Sequence, residues 1–131
     1  MTLLPSFAIY RIDTDLGAPM TGITLTGRSG RSYAYLIFDH TNERHMLQSG
    51  ANYAFAANDR LPIFCEATDN LKRSFLKDNK EFWERAQDVY GATLLLIHPS
   101  PDSGASAREQ EKADLIDSYH PPMNSRASEL R

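Results

Sequence analysis

The chain has a single cysteine, Cys65, and no long apolar run. One cysteine excludes an internal disulfide and any zinc site built from several cysteines, and it is typical of a reducing compartment. No uninterrupted apolar run approaches the ~18 residues that a membrane helix needs. No basic segment followed by an apolar stretch opens the chain, so no secretory signal is indicated. These absences predict a cytoplasmic protein without a membrane partner.

Basic residues are also too few for a typical nucleic-acid-binding domain. The 17 acidic residues exceed the 14 lysines and arginines, and the formal net charge is −3. The sequence contains no phosphate-binding glycine-rich loop, no dinucleotide fingerprint and no His-Glu-x-x-His zinc motif. Its four histidines lack the spacing of metal ligands. A length of 131 residues with 41 % hydrophobic and 24 % charged residues is ordinary for one globular domain.

Two β-hairpins are predicted in the first half of the chain. Residues 23–26 alternate and residues 32–38 are rich in β-formers, with two glycines in the turn 27–30 between them. The second hairpin is predicted from strands 51–56 and 61–66 around the turn 58–60.

Helices dominate the prediction for the second half. Thr68 or Asp69 is a suitable N-cap for a helix that starts near Asn70, and an amphipathic helix over 80–90 is expected to end at Gly91. A buried strand over 92–97 follows, and then a last helix to about residue 119. Because strands precede most of the helices, the order predicts an α+β fold with a small, mostly antiparallel sheet flanked by helices.

The domain boundaries follow from the same pattern. We expect a lead-in segment over 1–19, with one short strand over 7–12, and a flexible tail over 125–131. Between them, 20–124 is expected to form one domain. Its first part, 20–48, is an extra hairpin with its connection, and 49–124 is the core.

An ordered set of short motifs spans the core. They are Asn52-Tyr53-Ala54, Ile63-Phe64-Cys65, the segment 66–73, Trp83-Glu84-Arg85-Ala86, Tyr90-Gly91-Ala92-Thr93, Asp114-Leu115-Ile116 and Pro121-Pro122-Met123-Asn124. In this order and spacing the chain resembles the GIY-YIG nuclease superfamily, and a bacterial branch of it in particular. There a hairpin carries two tyrosine motifs, its second strand enters a helix bearing an arginine, and a later helix presents a glutamate.

The resemblance implies a metal-dependent DNA endonuclease, a phosphodiester hydrolase. Tyr53 and Arg73 would be catalytic, and a glutamate would hold Mg²⁺ or Mn²⁺. With DNA as the partner, the implied nucleic-acid contacts are Lys72, Arg73, Lys77, Lys112 and Asn124.

Two chemical positions depart from the family pattern. The second tyrosine is replaced by Ile63, which can neither donate nor accept a proton. The family glutamate, three residues before the leucine of Leu-Ile, is replaced by Lys112, and Glu111 stands one residue earlier. An ammonium there would repel a divalent cation.

Glu111 and Lys112 both lie on the last predicted helix, and each has two possible interpretations. Spacing to Leu115 and Ile116 predicts that residue 112 lies on the inward face and residue 111 at its edge. Glu111 is then either a solvated residue or a substitute catalytic and metal-binding acid. Lys112 is either a fixed cation beside Arg73 or a side chain that extends to solvent.

Two functions remain open from the sequence. One is a metal-dependent endonuclease that uses Glu111. The other is a degenerate module that binds a nucleic acid, a phosphate-bearing ligand or a protein without cutting. In either case Tyr53, Arg73 and Glu111 or Lys112 are expected to converge on one concave face.

Overall fold

The structure, a computed structural model, describes residues 21–39 and 46–124. The predicted lead-in segment with its strand over 7–12, His40 and His45 of the connection, and the predicted tail over 125–131 lie outside the described residues. The strands are β1 (Thr21–Thr26), β2 (Ser32–Phe38), β3 (Ala51–Ala56), β4 (Pro62–Thr68) and β5 (Leu94–Pro99). The helices are α1 (Leu71–Arg73), which continues as a π-helical segment (Ser74–Asp78), α2 (Lys80–Tyr90) and α3 (Ala105–Tyr119).

Both predicted hairpins are present. β1 pairs antiparallel with β2, and β3 pairs antiparallel with β4. The first turn is closed by the Gly27 N–H donating to the Arg31 carbonyl at 2.8 Å. Gly30 in that turn has a φ of 92°, a conformation that favours glycine because it has no Cβ.

The two hairpins are joined into one sheet by β5. The strand order is β1-β2-β5-β3-β4, and every neighbouring pair is antiparallel. This sheet with helices packed on it confirms the predicted α+β class. β5 starts later than predicted because the Ala92 N–H still bonds to the Ala86 carbonyl at the end of α2.

The helices begin and end near the predicted capping residues, with one correction. The cap of α1 is Asn70 and not Thr68 or Asp69, since the Asn70 side chain accepts the Arg73 N–H at 3.0 Å. Thr68 instead accepts the Asn70 N–H through its hydroxyl and so fixes the approach to the helix. Gly91 ends α2 with a φ of 72°, as the sequence predicts.

The sheet is covered on both faces. One apolar cluster, under the π-helical segment and α2, includes Tyr53, Phe55, Phe64 and Phe75. The other, under α3, includes Tyr35, Ile37, Leu96 and Leu115. Within the described ranges, no helix combines the length and apolar character needed to cross a membrane.

Candidate functional site

Tyr53 lies on the central part of the sheet and is fully buried. Its hydroxyl is 2.7 Å from the Ser74 hydroxyl and accepts a hydrogen bond from the Asn79 amide at 2.8 Å. Burial raises the pKa of Tyr53 to about 12, so the phenol stays protonated near neutral pH. Tyr53 packs inside the sheet and does not itself reach the surface, because the π-helical segment covers this part of β3.

A cleft of about 350 Å³ lies directly above these partners. Ser74 and Asn79 line the cleft, and Tyr53 lies beneath them, so these two side chains separate Tyr53 from the cleft. The remaining lining residues come from the end of β4, from the helical segment after it and from the start of α3: Glu66, Ala67, Thr68, Asp69, Arg73, Asp78, Ala105, Arg108 and Glu109. Its charged lining thus consists of four carboxylates and two guanidinium groups.

Arg73 projects into this cleft and is already paired. Its Nη2 is 2.8 Å from an Asp69 carboxylate oxygen, and its Nε is 3.6 Å from Asp78. Its side chain is 52 % exposed. Lys72 and Lys77 lie on the same segment, half-buried and exposed respectively, and their contact with nucleic acid stays a prediction. The positive charge of Arg73 is therefore balanced by the chain itself.

Lys112 is bound to Glu66 at the wall of the cleft. Its ammonium donates to one Glu66 carboxylate oxygen at 2.8 Å, while Asn79 donates to the other at 3.1 Å. Hydrogen bonds thus link Tyr53, Asn79, Glu66 and Lys112 in one chain. Glu66 is absent from the sequence-predicted site, although it is the one charged residue of the otherwise uncharged stretch 61–66. Such a charge at the end of an apolar strand is the signal that could have found it.

Glu111 faces the sheet instead of solvent. Its carboxylate accepts a hydrogen bond from the Tyr35 hydroxyl at 2.6 Å and lies 2.9 Å from His98 Nδ1. Burial, together with the Glu111 charge, holds the pKa of Tyr35 well above its usual 10.0. The solvated interpretation of Glu111 is wrong, and so is the predicted phase of the helix: residue 111 is inward and residue 112 lies at the edge. The buried face of α3 contains Arg108, Glu111 and Leu115.

Asn124 completes the edge of β4. Its side-chain oxygen accepts the Cys65 N–H at 2.7 Å, and its amide donates to the Cys65 carbonyl at 3.1 Å. The side-chain oxygen and nitrogen of Asn124 are thus both hydrogen-bonded to Cys65, and the residue is buried. The contact of Asn124 with nucleic acid stays a prediction. Ile63 and Cys65 are buried apolar residues of the same strand.

The expected convergence is partial. Tyr53, Arg73 and Lys112 are connected to one cleft through Ser74, Asn79 and Glu66, whereas Glu111 is turned toward Tyr35 and His98. Across the described residues, no three His, Cys, Asp or Glu side chains are grouped so that they could hold a metal ion. The predicted cations at this cleft, Arg73 and Lys112, are both paired with carboxylates of the chain itself.

Comparisons with known proteins found no similar protein. No protein-family model matches the chain, no curated protein matches it, and no solved structure matches it. The resemblance to the GIY-YIG nucleases therefore rests on the sequence motifs and stays a prediction.

Proposed function

We propose that this chain is a GIY-YIG-like domain that binds a partner and does not hydrolyse phosphodiesters. The observation that carries the proposal is the 2.8 Å ion pair between Lys112 and Glu66. The resemblance assigns position 112 to the carboxylate that holds the metal. An ammonium at this position supplies no oxygen ligand, and its ion pair occupies the Glu66 carboxylate that faces it.

The other chemical positions support the same proposal. Hydrolysis needs an activated water and a stabilised pentavalent phosphate. Ile63 offers no proton-transfer group, and Tyr53 is buried with both of its hydrogen-bonding partners inside the chain. Glu111, the substitute acid of the alternative interpretation, is engaged by Tyr35 and His98. None of these side chains is free to act on a phosphate in the cleft.

The charge of the cleft favours a protein partner over a nucleic acid. Its lining has four carboxylates; Lys112 pairs with Glu66 and Arg73 with Asp69 and Asp78, so with Arg108 counted one net negative charge remains. Phosphodiester binding depends on unpaired lysine and arginine side chains that release counterions from the backbone. A partner that presents basic side chains fits these carboxylates better.

A plasmid-nicking assay with Mg²⁺ and with Mn²⁺ tests the loss of hydrolysis. We expect no nicking by the wild type above a metal-free control. The variant Lys112→Glu combined with Ile63→Tyr restores both family positions and is the matched comparison. Robust metal-dependent nicking by the wild type that Glu111→Ala abolishes would overturn the proposal in favour of an endonuclease that uses Glu111.

Fluorescence anisotropy with a labelled DNA duplex tests the class of partner. We expect the wild type to bind DNA no more tightly than roughly 10⁻⁴ M, the weak end of non-specific binding. A labelled lysine-rich peptide should bind more tightly, and Asp69→Asn with Glu109→Gln should weaken that binding. Tight, salt-dependent DNA binding by the wild type would contradict the protein-partner assignment and leave the nicking result unaffected.

A further inference from the structure

β4 is the last strand of the sheet, and its outer edge reaches the cleft. Within the described ranges its strand neighbour is β3 alone. Successive residues of an edge strand direct their backbone groups alternately toward the neighbouring strand and away from it. The Cys65 N–H and carbonyl point away from β3, because they bond to the Asn124 side chain. By this alternation the backbone groups of Ala67 also point outward, and Ala67 lines the cleft.

Side chains of the protein itself occupy both of these outward positions. At Cys65 the Asn124 amide accepts from the N–H and donates to the carbonyl, which are the two bonds that a neighbouring strand would make. At Ala67 the N–H donates to Oε1 of the adjacent Glu66 at 3.0 Å. Edge strands are commonly protected in ways that prevent pairing with another chain. The edge of β4 therefore accepts a peptide-like partner and is at present closed by side chains.

The ion pair between Lys112 and Glu66 crosses this edge. Glu66 is the register partner of Tyr53, so its side chain lies on the face that the π-helical segment covers. Lys112 belongs to α3, which covers the opposite face. The Lys112 ammonium is 2.8 Å from the same Glu66 oxygen that accepts the Ala67 N–H. The ion pair thus lies across the outward N–H of Ala67 and blocks a strand from pairing there.

The second half of β4 is the accessible part of the edge. Residues 62–65 are buried, whereas residues 66–68 are half-buried. The cleft of about 350 Å³ is lined from both faces of the sheet, by Ser74 on one face and by Arg108 on the other. It therefore lies where a further strand would continue the sheet. Its volume is at the low end of ligand sites and suits one or two side chains of such a strand.

We propose that the edge of β4 at Ala67 binds an extended segment of a basic protein partner, and that this segment opens the ion pair between Lys112 and Glu66. A carbonyl of the segment takes the Ala67 N–H, and an ammonium of the segment replaces Lys112 at Glu66. In strand addition the main-chain bonds supply affinity and the side-chain pockets supply specificity. The basic character of the segment rests on the proposed function and on the net negative charge of the cleft. The ion pair is then an autoinhibitory contact.

Backbone N-methylation of a labelled peptide tests strand addition on the unaltered protein. The probe is a short peptide in which lysine alternates with threonine, and its binding is measured by fluorescence anisotropy. Alternate N–H groups of an added strand face β4 and the others face solvent, so only one set makes main-chain bonds. Methylation of one set should weaken binding about tenfold, and methylation of the other set should leave it unchanged. Equal binding of the parent and both methylated peptides would overturn strand addition and leave the proposed function intact.

Lys112→Gln tests the autoinhibitory contact. Without the ammonium the Glu66 carboxylate is free for the peptide, so we expect this variant to bind the parent peptide several-fold more tightly than the wild type does. Lys80→Gln is the matched control, because it removes the same charge from an exposed position of α2 outside the cleft lining. This control should bind as the wild type does. Unchanged or weaker binding by Lys112→Gln would overturn the autoinhibitory role.

Amide hydrogen exchange followed by NMR locates the contact. The peptide should slow exchange at the Ala67 N–H and leave the Cys65 N–H, which Asn124 holds, unchanged. Protection of Ala67 that grows with protein concentration in the absence of peptide would assign the edge to a second copy of this chain and overturn the proposal. Failure of every lysine-rich peptide to bind would overturn this inference together with the basic-partner assignment, whereas the nicking assay decides separately on hydrolysis.

Discussion

Lys112→Glu is the substitution that most directly probes the cleft. In the wild type the Lys112 ammonium and a Glu66 oxygen are 2.8 Å apart, with side chains 26 % and 21 % exposed. Two unit charges ~4 Å apart interact by about 4 kcal/mol at an effective dielectric constant of 20. Solvent access and side-chain entropy reduce the net value of such a pair to about 1 kcal/mol.

The variant loses that attraction and gains a repulsion of similar size between two carboxylates. We expect its free energy of unfolding to fall by about 2 kcal/mol and its melting temperature by roughly 5–10 °C. Lys112→Gln is the matched control, because it loses the attraction without adding the repulsion. We expect it to lose about 1 kcal/mol.

Mg²⁺ distinguishes the two variants further. Two facing carboxylates supply the hard oxygen ligands that Mg²⁺ prefers. At a concentration 100-fold above its dissociation constant the ion stabilises the folded state by about 2.7 kcal/mol. Thermal melts followed by circular dichroism, with and without Mg²⁺, should show a rise for Lys112→Glu and none for Lys112→Gln. Equal melting temperatures and equal Mg²⁺ responses of the two variants would refute the reasoning that residue 112 faces Glu66.

Three further outcomes are expected. Asn124→Ala should lower the free energy of unfolding in urea by about 2–4 kcal/mol, because it leaves a buried N–H and a buried carbonyl of β4 without partners. Asp69→Asn with Asp78→Asn should tighten DNA binding measured by anisotropy, since it frees Arg73, and a further Arg73→Gln should cancel the gain. The unfolded phenol loses its proton near pH 10.0 and buried Tyr53 only near about 12, so Tyr53 alone lowers the free energy of unfolding by about 2–3 kcal/mol as pH rises through that interval. The pKa values of Tyr33, Tyr35 and Cys65 are also raised and add to the decline, so Tyr53→Phe should remove only the share of Tyr53 in urea titrations.

The fold was predictable where local signals agree with the tertiary structure. The glycines of the first turn and the polar turn 58–60 fix two hairpins whose strands carry β-forming residues. Gly91 ends α2 where a left-handed residue is needed. The insertion of β5 between the hairpins was not predictable, because no local pattern states which strands become neighbours.

The phase of α3 was mispredicted for a physical reason. Its apolar residues are few, and the sequence prediction placed the inward face from Leu115 and Ile116. The buried face contains Arg108 and Glu111, whose burial depends on partners supplied by distant strands and loops. Hydrophobic periodicity detects only apolar residues on the buried face of a helix. It does not detect a charged residue that is buried because a distant residue of the chain pairs with it. The same limit explains why Glu66 was missed as the partner of Lys112.

The extra hairpin, which lies outside the motifs that resemble the nucleases, fixes that phase. Tyr33 and Tyr35 are two residues apart on β2 and so project to the same face of the sheet. They donate to Asp114 at 2.8 Å and to Glu111 at 2.6 Å, and these carboxylates are three residues apart on one side of α3. Hydrogen bonds from Ser29 and Tyr33 lower the pKa of Asp114, so this contact persists across the neutral range. Two phenol–carboxylate bonds one helical turn apart prevent α3 from rotating about its axis. With Glu111 held toward the hairpin, residue 112 is directed to β4, and this orientation brings the Lys112 ammonium to the Glu66 carboxylate at 2.8 Å.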